Sequence, residues 1–216
     1  MTRSLVIGAS GGIGSALARR LEEEGAVARL SRREDGLDVT DAASVERALG
    51  AQEGPFDVVM LATGILAPEG GAPEKALAAI EAEAMARVLA VNAVGTALVL
   101  RHLPRLLGPG GRAGVLTARV GSIGDNRLGG WHAYRASKAA ANMLVRGAAI
   151  EIGRRDKTAV VVALHPGTVE TPFTEGYTAK KLSAEESADR LVGVLMGLEP
   201  ARTGGFFDHA GEAVEW

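Results

Sequence analysis

The chain has 216 residues, 47% of them hydrophobic, which is enough for one domain with a substantial core. Its 24 Lys and Arg nearly balance its 26 Asp and Glu, so charge gives no reason to expect nucleic acid or a membrane surface as a partner. The chain has no cysteine and its four histidines stand singly, which excludes disulfides and thiolate chemistry and argues against a metal site. The first apolar run is too short for a signal peptide or a membrane span, so we expect a cytoplasmic protein.

Apolar strand-type runs alternate with helical patterns along the whole chain. The predicted strands cover 4–10, 26–31, 56–63, 112–119 and 158–167, with a strand-and-turn segment at 204–216. The predicted helices cover 14–25, 44–50, 76–107 (two helices, or one with a break), 133–152 and 183–198. Gly25 is a plausible helix stop, and Ser183 with Glu186 forms a capping-box pattern. The strands are continuous apolar runs, which predicts a single-domain α/β fold with a doubly wound parallel sheet and helices on both faces.

A glycine-rich turn, "GASGGIG", joins the first predicted strand to the first predicted helix. Such a turn lets the backbone approach a ligand, and the helix that follows directs its N-terminal amides and positive dipole end at a diphosphate. The spacing is G-x-x-x-G-x-G rather than G-x-G-x-x-G, and a tight connection without a ligand is the alternative. The pattern favours a dinucleotide held by Gly8, Ser10, Gly11, Gly12, Ile13 and Gly14.

The end of the second predicted strand indicates which dinucleotide is bound. NAD sites commonly carry an acidic residue there for the ribose hydroxyl, whereas this chain has Ser31 followed by Arg32 and Arg33. A guanidinium donates paired hydrogen bonds to phosphate oxygens, which fits the 2′-phosphate of NADPH. NADPH or NADP is therefore favoured over NADH, although Glu34 and Asp35 lie close by and both arginines could simply be solvated.

Several motifs together resemble those of the short-chain dehydrogenase/reductase family. "GASGGIG" is similar to its glycine motif, and "YRASK" resembles its Tyr-x-x-x-Lys motif with Tyr134 and Lys138. Ser122, twelve residues before Tyr134, resembles the family's serine, and Asn92 in "VNAVG" its mid-chain asparagine. "HPGTVET" is similar to the Pro-Gly segment over the nicotinamide. "GSIGDNRLGGWHAYRASKAA" and "GGFFDHAGEAVEW" resemble a C-factor-like branch related to sniffer-type carbonyl reductases.

The tyrosine and the lysine are four residues apart, so a helix places them on one face. A free phenol has a pKa of about 10, and a nearby ammonium favours phenolate and lowers that pKa. Tyr134 could then give a proton to a carbonyl oxygen or take one from an alcohol, with Ser122 hydrogen-bonded to the same oxygen. The resemblance further implies a Rossmann fold over residues 1–216, with Lys138 on the nicotinamide ribose and Asn92 positioning a water beside Lys138.

The resemblance extends the cofactor site beyond the glycine turn. Asp38 would contact the adenine, and the stretch "LATG" stands where the family often has Asn-Asn-Ala-Gly. That departure removes asparagine side chains, while Gly64 still allows the backbone to approach the cofactor. An exposed loop aspartate is the alternative for Asp38. The remaining predicted cofactor residues are Val39, Ala62, Thr63, Gly64, Pro166, Gly167, Val169 and Thr171.

The substrate side is less specified. Trp131 and Phe173 are candidate pocket walls, or equally core or interface residues, and Tyr177 falls in the substrate loop. The short segment 171–183 suggests an open pocket for a loosely specified carbonyl compound. By resemblance, the alanine-rich helices around 76–97 and from Tyr134 onwards form a homodimer or homotetramer interface, with packing inside one subunit as the alternative.

Two classes of function fit these patterns. One is an NADPH-dependent oxidoreductase that reduces a ketone, aldehyde or quinone; the other is a nucleotide-binding sensor or signalling protein of the C-factor type with incidental catalysis. A racemase or epimerase with a tightly held cofactor is a third possibility. The intact set of Ser122, Tyr134 and Lys138 favours turnover, because a pure binding protein has no need of a proton donor.

Overall fold

Six strands lie side by side in one sheet, and every neighbouring pair is parallel. The computed structural model describes residues 1–171, 174 and 181–216. The order across the sheet is β2-β1-β3-β4-β5-β6, which confirms the predicted doubly wound α/β fold. The strands are β1 (Thr2–Ile7), β2 (Gly25–Leu30), β3 (Phe56–Leu61), β4 (Leu107–Leu116), β5 (Val160–His165) and β6 (Phe206–Asp208).

Helices connect the strands and cover both faces of the sheet. The α-helices are α1 (Gly12–Glu22), α2 (Arg32–Asp35), α3 (Ala42–Gly50), α4 (Ala82–Leu89), α5 (Gly95–Leu100), α6 (Leu103–Leu106), α7 (His132–Arg155) and α8 (Ala184–Gly197). A π-helical turn at Ala90–Val94 joins α4 to α5, and 3-10 turns lie at Leu77–Ala79, Arg119–Gly121 and Pro200–Arg202.

Adjacent residues of a strand point to opposite faces, and both faces of this sheet are buried. In β1, Leu5 and Ile7 belong to the core under α3 and α5–α7, whereas Val6 belongs to the core under α1 and α8. The second core contains Leu17 of α1 and Leu191 of α8, both fully buried. Two buried faces explain why the strands are continuous apolar runs rather than alternating ones.

Local details of α1, α2 and α8 differ from the sequence prediction. Helix α1 ends at Glu22, and Gly25 is instead the first residue of β2, where an added Cβ would collide with the backbone of Thr2. The short helix α2 was not predicted. At α8, the Ser183 hydroxyl accepts from the Glu186 amide at 2.9 Å, but the Glu186 carboxylate accepts from Arg190, so only half of the capping box forms.

The long region predicted to be helical is one helix that contains a π turn, followed by a break at Arg101 and His102 before α6; the prediction is wrong at its start, where only the 3-10 turn Leu77–Ala79 forms. The helix runs without interruption from Ala82 to Leu100, and the π turn places Asn92, which is buried, on the side facing α7 and the loop after β3. By length and apolarity alone (mean hydropathy 1.5) this helix could cross a membrane, but buried helices of soluble proteins pass the same test. Its packing in the core makes it weak evidence for a membrane span.

The strand order fixes where a ligand can bind. The chain leaves β1 towards β2 on one side and returns to β3 on the other side of β1, so the connections diverge between the carboxyl ends of β1 and β3. In open parallel sheets this divergence leaves a crevice that binds ligands. The glycine turn follows β1 and the "LATG" segment follows β3, so both border the crevice.

Apolar side chains remain exposed on the helices that the sequence assigns to an interface between subunits. Met143 and Ile150, seven residues apart on α7, are exposed, as is Val94 in the π turn. A homodimer or homotetramer stays a prediction.

Candidate active site

The glycine turn brings three backbone segments into contact. Gly8 has a φ of +91°, and a Cβ there would lie 2.8 Å from the carbonyl carbon of Ala62. The amides of Gly8 and Ala9 both donate to the carbonyl of Leu30, which ties the turn to the end of β2. Gly11 is the N-cap of α1 and its residue type offers no capping side chain, so the first amides of α1 have no partner within the helix. These amides and the dipole end of α1 can bind an anion.

A cleft of about 760 Å³ opens beside this turn and extends to the start of α7. Its lining includes most of the predicted cofactor residues and both members of the Tyr-Lys pair. The predicted residues that line it are Ser10, Gly11, Gly12, Ile13, Gly14, Arg33, Ala62, Thr63, Gly64, Tyr134, Lys138, Pro166, Gly167, Val169 and Thr171. Trp131 also lines it, which favours its role as a wall, whereas Phe173, Tyr177 and most of the 171–183 segment lie outside the described residues.

Ser31 is buried and caps α2; neither it nor Arg32 is among the described residues that line the cleft, whereas Arg33 is. The Ser31 hydroxyl accepts from the Glu34 amide at 3.1 Å, and its own amide donates to the Asp35 carboxylate at 2.8 Å. Asp35 is therefore engaged in the cap. Arg32 and Arg33 are exposed in the first turn of α2, and neither forms a hydrogen bond or an ion pair with another described residue. This leaves both guanidinium groups available to a phosphate.

Asp38 and Val39 follow α2 and are not among the described residues that line the cleft. The Asp38 carboxylate accepts from the Thr40 amide at 2.8 Å and from the Thr40 hydroxyl at 2.7 Å. These two hydrogen bonds, with help from Arg87 and Arg32, lower the pKa of Asp38, so it stays ionised. Val39 is buried against Gly95 of α5. Their predicted contacts with the adenine stay predictions.

Asn92 connects the loop after β3 to α7. Its Oδ1 accepts from the Ile65 amide at 2.8 Å, and its Nδ2 donates to the Ile65 carbonyl at 2.8 Å and to the Ser137 hydroxyl at 2.9 Å. Ser137 in turn donates to the Tyr134 carbonyl at 2.8 Å. The Asn92 carbonyl accepts from the Thr96 hydroxyl. The side chain therefore positions the cofactor loop relative to the tyrosine, while its predicted role with a water stays a prediction.

Tyr134 and Lys138 lie in the first two turns of α7, as the spacing predicted. The Lys138 Nζ lies 5.8 Å from the centroid of the Tyr134 ring and donates to the Leu116 carbonyl at 3.2 Å. Burial of the ammonium, which is only 4% exposed, lowers the pKa of Lys138 to about 8. The Tyr134 ring packs edge-on against Trp131, with centroids 6.3 Å apart. Gly64 completes this corner, since a Cβ there would lie 3.1 Å from Nζ.

Ser122 directly follows the 3-10 turn Arg119–Gly121. It is 2% exposed, its hydroxyl accepts from the Asp125 amide at 3.0 Å, and it is not among the described residues that line the cleft. Gly121, directly before it, packs so closely on α7 that a Cβ there would lie 2.8 Å from the Lys138 backbone. The chain then turns towards the C-terminus, where the Gly124 amide donates to the Trp216 carbonyl. The assignment of Ser122 to the substrate oxygen stays a prediction.

Thr117 is a hydroxyl that the sequence analysis overlooked. It follows Leu116, whose carbonyl accepts from Lys138, and it lines the cleft. It is 3% exposed, and its Oγ1 has no hydrogen-bond partner among the described residues. Thr63, at the end of β3, has the same combination of a cleft position and an unpaired hydroxyl. A threonine directly after a strand that leads to the ligand crevice was a usable signal in the sequence.

His165 borders the cleft at the end of β5. Burial, together with His209 and Arg119 and against the opposing effect of Asp208, lowers the pKa of His165 to about 4. The imidazole is therefore neutral at neutral pH, in keeping with a structural role.

The cleft has the parts that a nicotinamide dinucleotide needs. Glycines leave room for close approach, helix amides face the position of a diphosphate, and buried hydroxyls of Thr63 and Thr117 lack partners. A tyrosine beside a buried ammonium supplies a group that can transfer a proton. The residues present therefore fit such a cofactor and an oxidoreduction at a carbon–oxygen bond.

Comparison with known proteins agrees with this geometry. Residues 3–182 match the family described as short chain dehydrogenase. The chain is 30% identical to 1-hydroxy-2-glutathionyl-2-methyl-3-butene dehydrogenase of Rhodococcus sp., over all of both chains. It is 37% identical to C-signal of Myxococcus xanthus, over 76% of this chain and 94% of that one.

Solved structures share the fold over the full length of the chain. A short-chain dehydrogenase/reductase from Burkholderia multivorans with bound NADP has a TM-score of 0.83 at 24% identity and covers 100% of this chain and 99% of its own. The carbonyl reductase Sniffer of D. melanogaster has a TM-score of 0.83 at 20% identity and covers 100% of both chains. At these identities the likeness shows the fold.

We expect Asn92→Asp to destabilise the protein strongly. The substitution buries a carboxylate and places an acceptor against the Ile65 carbonyl, where the amide now donates at 2.8 Å. The expected loss in the free energy of unfolding is about 2–4 kcal/mol, measured by urea denaturation. Asn126→Asp is the matched control, because Asn126 is exposed and only its Oδ1 accepts, from the Gly129 amide. Equal losses in the two variants would contradict the role given to Asn92.

Proposed function

The chain belongs to the short-chain dehydrogenase family, and we propose that it is an NADPH-dependent reductase that converts a ketone, aldehyde or quinone into an alcohol with Tyr134 as the proton donor. The family itself implies NAD(P)-dependent oxidoreduction. The observation that carries the finer proposal is the buried Lys138 ammonium 5.8 Å from the Tyr134 ring, in the same cleft as the glycine turn.

The residues divide the reaction between them. When bound, the nicotinamide supplies the hydride to the carbonyl carbon. The Tyr134 hydroxyl donates its proton to the carbonyl oxygen, and the phenolate that remains is stabilised by the Lys138 ammonium. Water is excluded because both side chains are less than a tenth exposed, which strengthens the interaction between the two groups.

The Leu116 carbonyl fixes the position of the ammonium. Nζ donates to this carbonyl at 3.2 Å, which leaves further N–H groups of Lys138 free to bind ribose hydroxyls. Gly64 has no side chain to obstruct that approach. Lys138 therefore serves both the cofactor and the tyrosine.

A hydroxyl beside the tyrosine would polarise the carbonyl. Ser122 has this role by family resemblance; its oxygen accepts from the Asp125 amide, and it is not among the described residues that line the cleft. Thr117 lines the cleft with an unpaired Oγ1. We therefore assign the role to Thr117.

The two arginines of α2 favour NADPH. Arg32 and Arg33 form no hydrogen bond or ion pair with another described residue, and Arg33 lines the cleft at the end where the dinucleotide's ribose would lie. Asp35, which could have repelled a phosphate, is held in the cap by Ser31. NADP is bound in the related structure from Burkholderia multivorans.

Signalling is the second candidate function, because the chain is 37% identical to C-signal of Myxococcus xanthus. A sensor needs cofactor binding but no proton transfer. The buried ammonium beside the tyrosine favours turnover, since burying a charge without a chemical use is costly.

Turnover is tested by NADPH oxidation over a panel of diketones, quinones and aromatic aldehydes. We expect activity in the natural chain. In Tyr134→Phe, kcat should fall at least about 100-fold, because phenylalanine keeps the ring but lacks the hydroxyl that donates the proton. Calorimetric titration should show unchanged NADPH binding in the variant. NADPH binding without turnover across the panel would favour the sensor.

Cofactor preference is tested by fluorescence titration of NADPH and NADH against Arg32→Ala and Arg33→Ala. Loss of a charge-assisted hydrogen bond to phosphate should raise the Kd for NADPH about 10- to 100-fold and leave the Kd for NADH within about twofold. Arg154→Ala, at the distant end of α7, removes the same charge and should change neither Kd. An equal rise for both cofactors would refute the assignment.

The polarising hydroxyl is identified by comparing Thr117→Val with Ser122→Ala. Valine keeps the shape of threonine but not its hydroxyl, so kcat should fall about 10- to 100-fold, and Thr117→Ser should recover most of it. Ser122→Ala should leave kcat within about threefold, since Ser122 is not among the described residues that line the cleft. The reverse ranking would return the role to Ser122.

A further inference from the structure

The cleft is strongly cationic although the chain is not. Of the six charged side chains among the described residues that line it, five are cations: Arg33, Arg119, Arg127, Arg135 and Lys138, with Asp125 the sixth. The whole chain has a formal charge of −2. Positive charge is therefore concentrated in this cleft.

The cations form two groups at opposite ends. Arg33 follows β2, whereas Arg119, Arg127 and Arg135 lie after β4 and around the start of α7. Three strand spacings separate β2 from β4 in the sheet, a distance of about 14 Å. We call Arg119, Arg127 and Arg135 the arginine rim.

The cofactor cannot neutralise the arginine rim. The proposed 2′-phosphate lies near Arg33, and the diphosphate lies at the N-terminus of α1. The reacting end of the cleft is instead marked by Tyr134, which is flanked by Trp131 and Arg135. Charge on the rim must be balanced by solvent ions or by the substrate.

The three rim arginines have different partners. Arg135 donates to the carbonyls of Gly129, Gly130 and Val120, so it holds the loop in place. Arg119 pairs with Asp125 at 3.3 Å. Arg127 is exposed and forms no hydrogen bond or ion pair with another described residue.

The arginine rim and Asp125 together have a net charge of +2, and the guanidinium of Arg127 is unengaged among the described residues. A planar guanidinium binds a carboxylate through two parallel hydrogen bonds. Apolar surface lies beside it, because Leu128 is 90% exposed and Trp131 and Val120 line the same wall. This combination suits a molecule with an apolar body and an acidic end.

We infer that the substrate is a carbonyl compound that carries a carboxylate, which Arg127 binds while the carbonyl faces Tyr134. The inference rests on the proposed reductase function. The carboxylate takes no part in the chemistry: the carbonyl gains a hydride and a proton and becomes an alcohol, and NADPH becomes NADP.

The test compares 4-formylbenzoate with the neutral 4-formylbenzamide, which has nearly the same shape. We expect kcat/KM to be about tenfold or more higher for the benzoate, and Arg127→Gln to remove most of this ratio without changing kcat/KM for the amide. The ratio should also shrink as salt is raised, because the rim is exposed. Arg154→Gln is the matched control and should leave the ratio unchanged.

Binding is measured separately from turnover. Calorimetric titration in the presence of NADP should show tighter binding of 4-(hydroxymethyl)benzoate than of its amide, and Arg127→Gln should abolish the difference. If neither aldehyde is reduced but the binding difference appears, the reductase fails and the anion site stands. Equal binding of acid and amide, or a difference that persists in Arg127→Gln, overturns the inference whether or not the aldehydes are reduced.

Discussion

The burial of one ammonium group organises the whole cleft. Lys138 is almost completely covered, and its pKa falls to about 8, so the folded chain releases this proton more easily than an unfolded chain, in which a lysine pKa is about 10. The free energy of unfolding therefore rises with pH between those values, and at neutral pH the fold carries the cost of a buried charge. Such a cost is tolerated when the charge has a use, and here a tyrosine ring lies 5.8 Å away.

The surroundings of that lysine explain several otherwise separate features. The Leu116 carbonyl at the end of β4 accepts a hydrogen bond from the Lys138 ammonium, so the end of this strand fixes the position of the ammonium. Gly121 approaches the Lys138 backbone too closely for a side chain, and a Cβ at Gly64 would lie in tight contact with the Lys138 Nζ, at 3.1 Å. Asn92 then fixes the Gly64 loop through both polar groups of Ile65, and reaches Tyr134 through Ser137. The π turn in the long helix gives Asn92 this position, so an irregularity of the helix serves the site.

The sequence predicted what depends on local spacing and periodicity. The four-residue interval of Tyr134 and Lys138, the glycine turn after β1 and the alternation of strands and helices all appear in the structure, because each follows from backbone geometry. The placement of Ser122 and Thr117 could not be read in the same way. Both are hydroxyls near the end of β4, yet among the described residues the cleft lining includes Thr117 and not Ser122. The cap formed by Ser31 likewise depends on a helix of four residues, too short for a periodic pattern.

The charge of the cleft could not be predicted from the sequence either. A formal charge of −2 is a sum over the chain, and it conceals a cleft where cations outnumber anions, because arginines distant in sequence converge only through the sheet order. The strands β2 and β4 lie about 14 Å apart. Arginine can therefore serve two functions in one cleft: Arg33 lies near the proposed ribose position, and the arginine rim lies near Tyr134. A field confined to a narrow cleft acts on small ligands more than a uniform surface charge does. Specificity for an acidic carbonyl compound would thus arise from the loop between β4 and α7, while the chemistry stays with Tyr134 and Lys138.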